Sequence, residues 1–401
     1  MPHQPRFIQI HTLHSYPAAL INRDDAGLAK RLPLGNATRT RISSQCLKRH
    51  WRTAEDRFAL SELQVPMAVR SRGTLELIRK RLVEAGTTEA LALAAAEALR
   101  DGGLVDKAGK DKKGEEALKT GQAVLMGYAE IDYLVRRCGE LASEAPEEKA
   151  LRAAVAKMLK AEKKNIEALK LGSGLESALF GRMVTSDVLA GRDAAVYVAH
   201  AFTVHAAQVE NDYFTVVDDL LQESGELGSA GIFDTELASG LYYGYVVVDV
   251  PQLVENLEAI ERENCFAAET SPEQRALAAQ VVEHLLHLIA TVSPGAKRGS
   301  TAPFDWASFL LVEAGDWQPR SLAGAFHDAL PTVTSGSETT PLRQRAVQRL
   351  GEEIGQLDAA YGASLARRFM SLDAVNIPQA ERLDLGALAS WTADGIKAGA
   401  C

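Results

Sequence analysis

"RISSQCLKRHWR", residues 41 to 52, is a basic run inside an acidic chain. The protein has 401 residues and a formal net charge of -9, yet no Asp or Glu lies between Asp25 and Glu55. That window holds seven Lys or Arg: Lys30, Arg31, Arg39, Arg41, Lys48, Arg49 and Arg52. Ser43 and Ser44 are N-cap candidates, which predicts a helix running through Arg52. On a helix beginning at Ser44, positions 44, 48 and 52 share one face. Leu47 and Trp51 form a neighbouring apolar pair that can dock the helix on a sheet. Ser44, Gln45, Lys48 and Arg52 then project outward together, beside the N–H groups and positive dipole end of the helix start. Hydroxyls, an amide and cations suit phosphate and sugar oxygens better than one specific base. A solvated basic face is the plainer reading. The absence of acids over about thirty residues favours an anion site, and the spread of charge over loop and helix favours a polyanion.

Upstream, "RFIQIHTLHSY" (6–16) alternates apolar and polar residues and reads as a half-buried strand. The turn-rich stretch 17–41 reads as a loop. Downstream, 68–180 is Ala- and Leu-rich with helical periodicity, interrupted by a charged, Gly-dotted segment at 101–121 expected to be a mobile loop. Strand signals return in 194–209 and 240–250, flanking an acidic excursion. A helix is signalled at 271–292 by Ser271, Pro272 and Glu273. A strand is expected within 304–315, and helices at 319–330 and 341–362. Strand, helix, long helical insertion, then strands and helices again is an α+β pattern with an interrupted core.

Composition excludes several classes. Hydrophobic residues at 46% and charged residues at 24% are ordinary for a soluble protein. No run of about 18 apolar residues predicts a membrane span, and the N-terminus lacks a secretory pattern, so a cytoplasmic location is expected. Four isolated cysteines argue against a disulfide framework or a cysteine zinc site. The net charge repels nucleic acid at long range. Salt screens that field beyond roughly 10 Å at about 0.1 M, so a local patch can dominate at contact.

His11 with His14, His200 with His205, and His284 with His287 have suggestive spacings, but no H-E-x-x-H or G-x-S-x-G accompanies them. They read as satisfied core or surface histidines. "SPGAKRG" (293–299) combines Gly and cations but lacks Walker A spacing, so no nucleotide site is read there. Lys157, Lys160, Lys163 and Lys164 read as a solvated helix face. On patterning alone, Met183 and Phe214 would be core residues. No metal or cofactor is implied.

The motifs also carry a resemblance. "NRDD" (22–25) followed by "R-x-R-I-S-S-Q-x-L-K-R" (39–49) closely resembles the crRNA-binding backbone subunit of type I-E CRISPR Cascade, the CasC family. "ALFGRMVTSD" (178–187), "VAHAFTVHAAQVENDYFTVVDDL" (198–220), "SGLYYGYVVVDVPQLVENL" (239–257) and "VSPGAKRGSTAPF" (292–304) follow in the same order. The likeness covers the N-terminal 55 residues and much of 178–305. It is loose over the last hundred.

The resemblance implies a modified RRM-like (ferredoxin-like) palm over 1–67, 181–208 and 239–401, with helical fingers at 68–180 and a thumb at 209–238. It implies a non-catalytic prokaryotic protein whose copies form a head-to-tail filament on the CRISPR RNA, with target DNA and other Cascade subunits as further partners. Carried over by position, Arg23, Arg41, Ser43, Gln45, Lys48 and Arg52 would contact the RNA backbone. Met183 would wedge at an RNA kink beside Arg182. Tyr213, Phe214 and Thr215 would separate base segments, although Tyr213 stands where the family pattern has tryptophan. Lys297 and Arg298 would face RNA, and the lysines at 157, 160, 163 and 164 would steer duplex DNA. A related possibility is a type III-like backbone subunit that cleaves target RNA through Asp24 or Asp25. For Asp24 the preferred role is a loop-ordering or intersubunit ion pair.

Overall fold

The computed structural model describes residues 3–105, 118–167, 171–183, 189, 191–217, 229–332, 340–362 and 364–401. The chain divides into two compact units. The first comprises 1–60, 197–248 and 279–401, and the second 61–196 and 249–278.

The first unit is built on β1 (Phe7–Ala19), whose residues 7 to 13 are buried without a break. The expected half-buried strand is therefore covered on both faces, and its polar members need internal partners. Gln9 accepts hydrogen bonds from Tyr245 Oη and the Arg320 amide, each at 2.8 Å. The 17–41 stretch is more regular than its turn formers suggest. After the end of β1 it forms a hairpin of β2 (Arg31–Leu34) and β3 (Ala37–Ile42). Gly35 turns this hairpin with φ +57°, and a Cβ there would meet the His327 carbonyl oxygen at 1.7 Å.

Further along come β4 (Ala68–Ser71), β5 (Val124–Gly127), β6 (Val196–Val198), β7 (Ala201–Thr203), β8 (Gln208–Val217) and β9 (Ser229–Asp249). The last three are β10 (Phe309–Gly315), β11 (Ala366–Ser371) and β12 (Ala380–Arg382). Among the described residues ten strands join one sheet, with the path β12-β11-β10-β1-β9-β7-β3-β2 and with β6 and β8 paired to β9. The architecture is α+β, as the alternation of signals predicts. One expected helix is missing: 319–330 contains only a short 3-10 turn at Ala323–Phe326. There Phe326 is buried against Tyr243 and Phe369 in a core that also holds Leu13, Phe309 and Leu350.

Helix α1 (Ser44–Arg52) follows β3 directly. Trp51 is buried. Leu47 packs on a smaller cluster of Tyr16, Ile42, Ala201 and Tyr242. The apolar pair docks the helix on the sheet, as its spacing predicts.

The second unit is mainly helical: α2 (Thr74–Glu84), α3 (Glu89–Asp101), α4 (Tyr128–Glu144), α5 (Glu148–Ala161), α6 (Lys163–Glu167) and α7 (Leu175–Phe180), with β4 and β5 as an antiparallel pair. Small residues on α3, among them Ala92, Ala95 and Ala96, let it pack in a core with Leu75, Ile78, Ile131, Leu134 and Val155. The expected mobile loop falls largely on 106–117, outside the described residues.

Candidate nucleic-acid interface

Three segments of the first unit meet around the N-terminal basic run. Ser43 caps α1, with its hydroxyl accepting the Cys46 amide at 3.3 Å. Its own amide donates to Asn22 Oδ1 at 2.9 Å, which ties the helix start to the 22–30 loop. The Ser44 amide donates to His200 Nδ1 at 3.0 Å. Two of the amides expected to face an anion are thus used inside the protein. The anion-binding capacity of this helix rests on its side chains. Gln45 and Arg49 are exposed, and Lys48 and Arg52 half-buried. Ser43 itself is buried and caps the helix.

The seven cations divide by environment. Arg39 is fully buried, donating to the carbonyls of Thr203 (2.9 Å), Phe326 (3.0 Å) and His327 (3.2 Å). It serves the fold. Arg31 pairs with Glu236 on β9. Arg41 is half-exposed on β3, its Nε 3.4 Å from the Arg31 carbonyl oxygen. Arg23 is exposed on a loop closed by a bridge to Ala29. In that loop Asp24 Oδ1 accepts the amides of Ala26 and Leu28, both at 3.0 Å. Its loop-ordering role is played by amide hydrogen bonds, where an ion pair was expected.

The second segment is the 293–301 loop. Ser293 anchors it, exchanging hydrogen bonds of 2.8 Å with the Asp305 backbone. A Cβ at Gly295 would lie 2.5 Å from Pro303, so the loop needs glycine there. The Gly295 amide reaches His50 Nε2 at 3.4 Å, while His50 Nδ1 donates to the Cys46 carbonyl at 2.8 Å. Burial, aided by the nearby Arg298 and Arg49 cations, lowers the His50 pKa, so the neutral ring that both bonds require is favoured. Lys297 and Arg298 are exposed at the loop's tip.

The third segment is the β8–β9 ribbon. Tyr213 is 65% exposed and Phe214 39%, but adjacent strand residues face opposite ways. Phe214 pairs across the ribbon with Phe233, the rings stacked 5.5 Å apart at 22°. Lys297 Nζ lies 5.9 Å from the Phe214 ring and donates to Thr235 Oγ1 at 2.7 Å. The other ribbon face, with Tyr213 and Thr215, holds Glu236, which accepts the Ala29 amide at 2.8 Å. The structure therefore brings α1 and the Lys297 loop to one face of the ribbon root and the 22–31 loop to its other face. Phe233 and His50 escaped the sequence reading. Phe233 had a legible signal only once the ribbon register was known. Residues 218–228 of the expected thumb lie outside the described residues.

The remaining candidates belong to the second unit. Met183 is 98% exposed. Arg182 is buried and forms a two-pronged ion pair with Glu130 at 2.7 and 2.9 Å. Its guanidinium is engaged in the interior, beside the exposed Met183. Lys157, Lys160 and Lys164 are exposed, and the side chain of Lys163 lies outside the described residues.

The family model of the CT1975-like proteins matches residues 8–393. The chain belongs to that family. No curated protein matches this CT1975-like chain. Solved chains do, among them two from CRISPR surveillance complexes. One, from a "CRISPR RNA-guided surveillance complex, pre-nicking", is 28% identical with a TM-score of 0.76, over 97% of this chain and 100% of that one. The other, from a "CRISPR RNA-guided surveillance complex", is 25% identical with a TM-score of 0.63, over 96% and 99%. The CT1975-like chain is thus similar along its length to chains of CRISPR RNA-guided surveillance complexes, including the last hundred residues where the motif likeness is loose.

Proposed function

We propose that this protein is a non-catalytic, guide-RNA-binding backbone subunit of a type I-E Cascade complex, with an RRM-like palm. Copies would associate head to tail along the CRISPR RNA spacer, beside the other Cascade subunits, and present it for pairing with target DNA. The observation that carries this reading is the connected surface of α1, the basic loop and the aromatic ribbon, in a chain similar throughout to a surveillance-complex subunit. Gln45, Lys48, Arg49 and Arg52, with Arg23, Arg41 and Arg298, would hold phosphates and sugars without reading bases. Exposed Tyr213, Thr215 and Met183 would set the spacing of base segments, and Lys157, Lys160, Lys163 and Lys164 would steer duplex DNA. Asp24 Oδ1 accepts two amides of its own loop, which supports a loop-ordering role for this residue.

Lys48→Ala combined with Arg52→Ala should weaken crRNA retention regardless of spacer sequence. The slope of log affinity against log salt should flatten by roughly 0.7 for each phosphate that is no longer neutralised. The complex would be purified with its partner subunits and eluted across a salt series. Unchanged retention and slope would remove these two residues from the interface.

A further inference from the structure

The ribbon aromatics offer more than the three consecutive residues 213 to 215. Phe214 and Phe233 are direct cross-strand partners, so their side chains share one face, and their rings stack 5.5 Å apart. An exposed stacked pair on a two-stranded ribbon stabilises the ribbon, but it also leaves aromatic surface in water. Phe233 is the more open ring, at 49% exposed against 39% for Phe214. Phe214 has Phe233 on one side and the Lys297 ammonium 5.9 Å from its centroid. Thr235, two residues along the same face as Phe233, accepts a hydrogen bond from that ammonium. An open ring stacked on a second ring that a cation approaches has the chemistry of a single-stranded nucleotide site. The base stacks on the ring without sequence preference, and its phosphate meets the cation.

We propose that Phe233 is the ring that stacks against a base of the bound single-stranded RNA, with Phe214 as its support and Lys297 as the partner of the adjoining phosphate. This rests on the guide-RNA reading above and assigns to Phe233 the contact that sequence position would give to Phe214. Lys297 reaches Thr235 and Phe214 from a left-handed backbone position, φ 50°, so its loop is shaped to deliver the ammonium there.

The test uses the complex assembled with its partner subunits on a guide RNA carrying 4-thiouridine or 2-aminopurine at successive spacer positions. In the wild type, irradiation should yield a crosslinked peptide containing Phe233, at spacer positions recurring once per copy. Phe233→Leu should abolish that crosslink and brighten 2-aminopurine at the same positions. It should also weaken RNA retention at least about fivefold, the lower end for removing one stacked base. Phe233→Tyr should preserve all three. Crosslinks confined to Tyr213, or a 2-aminopurine pattern unchanged by Phe233→Leu, would overturn the assignment. Should Phe233→Leu fail to assemble, the wild-type crosslink map and the Phe233→Tyr complex still decide it. A wild-type complex that retains no RNA would instead defeat the guide-RNA reading itself, a result distinct from RNA retained without contact to Phe233.

Discussion

His50 shows how one side chain couples two parts of the interface. Its Nδ1–H is spent on the Cys46 carbonyl, leaving Nε2 as acceptor for the Gly295 amide. Arg49, Arg298 and the Cys46 thiol at 3.8 Å are its other polar neighbours. Protonation would remove the acceptor and place a third cation beside two arginines. Because the folded state lowers this pKa, the stability contribution is present above the ordinary imidazole value of 6.5 and declines as pH falls below it. Urea midpoints measured from about pH 7 to 5 should therefore fall less steeply in His50→Gln than in the wild type. Equal slopes would show that His50 does not titrate with folding. At this scale sequence reading fails for a definite reason. Ser43, Arg39 and Arg182 have the residue types of an RNA-binding surface, but composition does not encode their burial or their internal partners.

For α1 as an element, local signals were nearly sufficient. The N-cap, the apolar pair and the outward polar face all follow from spacing within a few residues. Ser43→Ala should cost about 1 kcal/mol of stability, and Ser43→Asn should restore most of it, as read from denaturant midpoints. A Ser43→Ala protein of unchanged stability but reduced RNA retention would instead make Ser43 a direct contact. The ribbon was half legible. Its strands were signalled, but Tyr213, Phe214 and Thr215 alternate across a pleat and cannot all address one surface. The relevant neighbour of Phe214 is Phe233, nineteen residues on, and only register brings them together. The 319–330 segment erred the other way: helical propensity yielded to burial of Phe326 in a sheet-bound core.

Across the whole first unit, a buried charge network joins strands far apart in sequence. Glu313 on β10 accepts from His11 on β1 at 3.2 Å, from Arg320, and from Arg367 on β11 at 2.6 Å. Arg367 also pairs with Asp358. Burial pushes the Glu313 pKa up, but hydrogen bonds from His11 and Arg320 more than reverse this and keep the carboxylate ionised. Glu313→Gln would leave two arginines short of a counter-charge and should destabilise the protein by about 3–5 kcal/mol in urea denaturation. A decrease below about 1 kcal/mol would mean that the network relaxes around the change.

By itself the sequence determined the α+β alternation, the capped basic helix and the acid-free, basic character of residues 41–52. These depend on neighbours within one or two helical turns or strand repeats, so their physics is local. The tertiary structure alone decided which cations remain on the surface, which histidine bridges helix and loop, and which ring of the Phe214–Phe233 pair stands more open. Each of those depends on groups tens to hundreds of residues apart, whose burial and pairing exist only once the sheet has closed around β1.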